Sequence, residues 1–130
     1  MRLNAGLALL KAGKANDAME QFGAAARLNP ESPEAHFEFG RQLFFHGQFN
    51  AAIEQLGQAA QLRPTYAAAD FYLSAAQEGA GQLDQAIATA NQALALAQQS
   101  GQANLAARIQ ESLDLYQKAR AAAQKPPANK

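Results

Sequence analysis

Shifted against itself by 34 residues, the chain repeats. Gly6, Gly40 and Ser74 fall in one column, and Leu9, Leu43 and Gln77 in another. Gly13, Gly47 and Gly81 coincide, then Ala18, Ala52 and Ala86, then Met19, Ile53 and Ile87. Phe22, Leu56 and Ala90 follow, then Ala25, Ala59 and Ala93, then Leu28, Leu62 and Leu96. Pro30 and Pro64 close the first two units, and Gln98 stands where a third proline would be. A fixed period of this length marks an array of supersecondary units that bury their apolar faces only against one another.

Composition says what the units are made of. The 130 residues contain no Val, and the β-branched set is Ile53, Ile87, Ile109, Thr65 and Thr89. Strands need such residues, so a sheet-rich fold is excluded. Alanine, the best helix former, occurs 33 times and Gln 16 times. Small side chains also let helix axes approach closely. The large apolar set is mainly 15 Leu and seven Phe.

Each unit reads as two helices. Pro33 suits a first helical turn, where its missing N–H is not needed. Phe39, Gly40 and Leu43 share one helical face. Gly47 ends that helix in a left-handed conformation. Asn50 is the expected N-cap of the next helix, with Asn16 and Asp84 in the same place. That helix turns Ile53, Leu56, Ala59, Ala60 and Leu62 inward, and Pro64 stops it. Gly40, Ala52 and Ala59 mark the closest helix contacts.

This pattern resembles the tetratricopeptide repeat, whose period is also 34. The matching residues are Gly6, Leu7 to Leu10, Ala18, Phe22, Ala25 and Pro30; then Phe39, Gly40, Leu43, Ala52, Leu56, Ala59 and Pro64; then Leu73, Ser74, Gly81, Ala86, Ala93 and Leu96. The resemblance covers about residues 1–98. It implies an all-α, right-handed superhelix of antiparallel helix pairs, with repeats at about 1–32, 33–66 and 67–100. Gln77, Ala90 and Gln98 depart from the family pattern, and they predict that the second helix of the third unit runs on for another turn. Leu105, Ile109, Leu113 and Tyr116 make an apolar stripe on a further helix, about 103–123. Its other face carries Arg108, Glu111, Asp114, Gln117 and Lys118, the polar outer side of a capping helix. Residues 124–130, with Pro126 and Pro127, are expected to be disordered. No capping helix precedes the first unit. Self-association through that end, as a homo-oligomer, is therefore a second expectation.

Chemistry is sparse. The chain has no Cys, which excludes disulfides, thiolate metal sites and cysteine nucleophiles. His36 and His46 are the only histidines, and on one helix they stand roughly 15 Å apart along the axis. They cannot share a metal there, and both read as structural. Ser32 reads as a helix cap and Ser74 as a small packing residue, and no Gly-rich strand-to-helix loop exists to cradle a phosphate. The expectation is no catalytic residue, no metal and no cofactor. A formal net charge of zero argues against a nucleic-acid partner. No apolar run approaches a membrane span, and no signal peptide is recognisable, leaving cytoplasm or periplasm. The Ala- and Gln-rich style looks bacterial.

In the tetratricopeptide family the first helix of each unit lines a concave surface that holds partners. The resemblance thus assigns Leu3, Asn4, Leu7, Leu10 and Lys11 from the first unit, Glu34, Phe37, Glu38, Arg41, Phe44 and Phe45 from the second, and Ala68, Phe71, Tyr72, Ala75 and Glu78 from the third. Helix geometry supports it: Phe37, Glu38, Arg41 and Phe45 lie on a different face from Phe39, Gly40 and Leu43. The groove residues are taken to be Glu34, Phe37, Glu38, Arg41, Phe45, Phe71, Tyr72 and Glu78. Some family members grip C-terminal carboxylates with Lys, Asn and Arg. Here the matching places hold Leu3, Leu7, Glu38, Ala68 and Tyr72, so a clamp of that type is not expected. Residues 1–30 carry +2, 31–100 carry −5 and 101–130 carry +3. An acidic centre favours a partner peptide or helix with apolar and basic residues. The expected function is a non-catalytic protein-interaction scaffold. The alternatives are a structural self-association module, or an accessory domain of a larger bacterial enzyme or a secretion or envelope-assembly complex.

Overall fold

The computed structural model describes residues 2–124. They form seven helices: α1 (Arg2–Lys11), α2 (Ala15–Leu28), α3 (Pro33–Phe45), α4 (Phe49–Leu62), α5 (Ala67–Gly79), α6 (Leu83–Gln99) and α7 (Ala103–Gln124). Each packs on the next in antiparallel fashion, and α5 also touches α3 and α7. The odd-numbered helices therefore line the inner side of the stack. Three helix pairs and a capping α7 match the expected solenoid. Apart from Gln124, the last residue of α7, the tail expected to be disordered lies outside the described residues.

Within each pair the two helices meet at one small-against-large contact. A methyl group at Gly40 would stand 2.7 Å from Leu56 Cγ, and one at Gly6 only 2.6 Å from the Phe22 ring. Phe22 and Leu56 are fully buried. The third pair has Ser74 and Ala90 in these places, both fully buried. There the smaller Ala90 leaves room for the Ser74 side chain, whose hydroxyl donates to the Phe71 carbonyl at 2.7 Å.

The three turns inside the pairs and the turn before α7 share one geometry. Gly13, Gly47, Gly81 and Gly101 all have φ between 72° and 82°. In each case the next residue's N–H donates five residues back: Lys14 to Leu9, Gln48 to Leu43, Gln82 to Gln77 and Gln102 to Ala97. This is a Schellman closure, and it satisfies carbonyls that the helix end would orphan. It also corrects the expected caps. The residues before α2, α4 and α6 are Lys14, Gln48 and Gln82, without side-chain caps, so Asn16, Asn50 and Asp84 lie inside the first turn. The closing residue of one helix is already the opening residue of the next. Ser32 is a true cap: its Oγ accepts from the Ala35 N–H at 3.1 Å.

α6 has 17 residues against 14 in α2 and α4, the extra turn expected where Gln98 replaces proline. Ile109 and Leu113 of α7 are buried against it, with Ala93 and Ala97 in the same cluster. Both histidines are structural. His36 is buried, with Nδ1 2.7 Å from Gln55 Oε1 and Nε2 2.7 Å from the Pro30 carbonyl. His46 lies 2.8 Å from the Gln42 carbonyl, at the end of α3.

His36 is one rung of a repeated cross-helix contact. Arg2, 34 residues earlier, donates to Gln21, as His36 meets Gln55. The next rung places Asp70 opposite Thr89 in the repeat. Asp70 is buried, and burial pushes its pKa up from 3.8 to about 6. The folded chain thus holds this proton more tightly than the unfolded one. The resulting penalty is absent below pH 4, grows through pH 4–6 and is complete above.

Two measurements check these points. Gly40→Ser alone should cost ~1–3 kcal/mol by overpacking, and Leu56→Ala alone ~2–5 kcal/mol by leaving a cavity. The double variant reproduces the third pair, so urea unfolding should show a cost well below the sum; strict additivity would refute the size-matching account. Asp70→Asn should raise the unfolding free energy at pH 8 by about 1–3 kcal/mol and have little effect near pH 4. A pH-independent offset would show that the carboxylate is not the cause.

Candidate functional site

α3, α5 and α7 enclose a groove of 640 Å³ on the inner side. Phe44 and Phe45 end α3, and the turn to α4 adds Gly47 and Phe49. α5 contributes Phe71, Tyr72, Ala75, Glu78 and Gly79, spaced so that they share a face. α7 closes the far side with Arg108, Ser112, Leu115 and Tyr116. The floor is low because Ala75 and Gly79 are small; a methyl at Gly79 would come within 2.7 Å of the Phe49 ring.

The walls are aromatic. The Tyr72 ring centroid lies 5.2 Å from that of Phe71 and 5.9 Å from those of Phe37, Phe44 and Phe45. Edge-on and tilted pairs at these spacings suit the ring quadrupoles. Phe71 is buried and holds the core, whereas Phe45 is 59% and Leu115 65% exposed. Those two form apolar lips, one from α3 and one from α7. Tyr116 is half-buried; burial raises its pKa, and the nearby Glu78 charge adds to that.

The expected groove residues divide into two groups. Phe45, Phe71, Tyr72 and Glu78 come together in the groove. Glu34, Phe37, Glu38 and Arg41, nearer the N-terminal end of α3, do not line it. Phe37 is buried beneath Tyr66, with ring centroids 4.9 Å apart. Arg41 pairs with Glu38 at 2.8 Å, and its guanidinium stands 5.5 Å from the Phe37 ring and 5.9 Å from Tyr72. Glu34 pairs with Arg63, which holds the Glu34 carboxyl below the usual carboxylate range. The charges of Glu34 and Glu38 are thus met within the chain. The acidic character of the inner face narrows to Glu78, which shares the groove with the cation Arg108.

Sequence reasoning missed Phe49, Gly79 and the whole α7 wall. Arg108 was expected on the outer side, yet it stands 5.1 Å over the Phe71 ring. A signal existed: Leu115 is a large apolar residue off the Leu105–Ile109–Leu113 stripe, so α7 has a second apolar edge. No group of three metal-ligating residues exists among the described residues. None of their helices is long and apolar enough to cross a membrane.

Solved structures share this architecture. The Yersinia enterocolitica type III secretion translocator chaperone SycD superposes with a TM-score of 0.86 at 18% identity, over 92% of this chain and 83% of that one. PcrH in complex with the chaperone-binding region of PopD gives 0.85 at 22%, over 92% and 90%. The first repeat domain of Spaghetti (RPAP3), bound to the HSP90 peptide SRMEEVD, gives 0.81 at 19%, over 92% and 90%. Identities this low speak for the fold alone. No curated protein matches the chain in sequence. The family model of the tetratricopeptide repeat matches residues 43–109, more than half of the chain. With the three-fold 34-residue repeat and the helix pairs it builds, the chain belongs to the tetratricopeptide repeat family.

Proposed function

We propose that the chain is a non-catalytic scaffold that binds a peptide or helix of another protein in the groove between α3, α5 and α7. The observation that carries this reading is that two large apolar side chains lining this groove, Phe45 of α3 and Leu115 of α7, stand mostly exposed. Large apolar side chains held at the mouth of a preformed concavity gain most by burying an apolar anchor from a partner. The PcrH–PopD and Spaghetti–HSP90 complexes, which hold peptides on the same fold, support it. Glu78 favours a basic residue beside the anchor, and Arg108 an acidic one. The groove brings together no nucleophile–base pair and no carboxylate pair for acid–base work.

The test uses a random peptide library displayed on phage and selected on the full chain. Enriched peptides should carry a large apolar anchor. Against a selected peptide, Phe45→Ala and Leu115→Ala should each weaken binding about tenfold, ~1.4 kcal/mol. Because both side chains are exposed, the melting temperature should hardly change. Unaltered affinity in both variants would exclude this groove. Phe71→Ala is a poor substitute, since removing a buried ring also loosens the α5–α6–α7 core.

A further inference from the structure

The three repeats treat one inner position differently. In the second, Phe37 stacks on Tyr66, and Arg63 stands 4.7 Å over the Tyr66 ring. The two rings share a cluster with the buried Ala59 and Ala69. In the third, Phe71 takes the place of Phe37 and Ser100 that of Tyr66; Arg108, reaching from α7, covers the Phe71 ring. In the first, Leu3 and Ser32 stand in these two places. Leucine and serine fill much less space than phenylalanine and tyrosine. A cleft of 470 Å³ lies there; Leu3, Ala25, Asn29, Ser32 and Ala35 are among its lining residues, with the polar Arg2 and Asn4 beside them.

Five of the lining residues, Leu3, Ala25, Asn29, Ser32 and Ala35, sit 34 positions before Phe37, Ala59, Arg63, Tyr66 and Ala69, which make up the second repeat's ring site. The backbone frame is also shared. Both repeats have the same glycine turn and the same tight glycine contact between their two helices. The cleft therefore has the outline of a site that, one repeat on, holds an aromatic ring. Its floor is the buried pair Ala25 and Ala35, and its rim includes Leu28, 66% exposed. Asn29 and the Ser32 hydroxyl give the rim a polar edge that suits a phenol.

We propose that this cleft is a second binding site, separate from the groove, that accepts an aromatic side chain, tyrosine or phenylalanine, from a partner segment. The bound ring takes the place that Tyr66 takes in the second repeat. None of the lining residues belongs to the groove between α3, α5 and α7, so this site does not depend on that reading.

The test is a titration of the isotope-labelled full chain with two capped peptides, acetyl-Gly-Tyr-Gly-amide and acetyl-Gly-Leu-Gly-amide, read by amide chemical shifts. The tyrosine peptide should shift Ala25, Asn29 and Ala35 saturably, and the leucine peptide should bind there at least roughly fivefold more weakly. The variant Leu3→Phe with Ser32→Tyr rebuilds the second repeat's ring pair inside the cleft. It should lose the response of these amides and keep any response at Phe45 and Gly79. Silence of the cleft amides, equal responses to both peptides, or a response that persists in the filled variant would overturn the proposal. Should the filled variant fail to fold, the contrast between the two peptides on the unaltered chain decides alone.

Discussion

The stack depends on how closely the two helices of a pair approach. That distance is set by a reciprocal choice of side-chain size: glycine against Phe22 or Leu56, and serine against Ala90. Two large residues would force the axes apart, and two small ones would leave a void. Since each pair docks on the next, an error in one spacing would propagate to the inner face. The groove inherits its width from these contacts. Phe45 and Leu115 can line one groove only because α3, α5 and α7 are held at fixed intervals.

The inner face differs along its length because the repeats spend their aromatic residues differently. Where the second meets the third, Phe37 packs on both Tyr66 and Tyr72 with Arg41 and Arg63 against these rings, and Glu38 and Glu34 neutralise the two cations. That stretch is closed by its own side chains. Toward α7 the aromatic density continues, but the lips are exposed and the charges of Glu78 and Arg108 lack ion-pair partners within 4 Å among the described residues. Aromatic surface beside unpaired charge is the combination that the proposed binding reading requires for both affinity and selectivity.

The repeat made much of this visible beforehand. The six paired helices, the glycine turns inside the pairs and the small contact positions follow from column agreement at period 34, the lengthened α6 from the departure at Gln98, and α7 from its own apolar stripe. The N-caps did not, because a Schellman turn fixes where the next helix begins and overrides the usual preference for Asn or Asp. Four of the eight expected groove residues meet in the groove. Glu34 looked free because its arginine, Arg63, stands 29 residues away, whereas the i,i+3 spacing of Glu38 and Arg41 was a readable sign of pairing. α7 was misread for a different reason. It begins 36 residues after α5 instead of 34, so alignment at period 34 sets Arg108 against Ser74 and Leu115 against Gly81, the wrong columns. The cleft of the first repeat becomes legible only when its smaller residues are compared, place by place, with the rings of the second.

The turns in which one residue both ends a helix and starts the next have a kinetic consequence. They leave no slack, so each hairpin closes with very little loop entropy to lose. Nearly all packing is then between neighbours in the chain, the regime of fast, local assembly. Folding can begin at any hairpin and spread outward, and strain on the ends is released one hairpin at a time. A chain built this way can loosen a terminal hairpin to admit or release a partner while the remaining pairs stay folded.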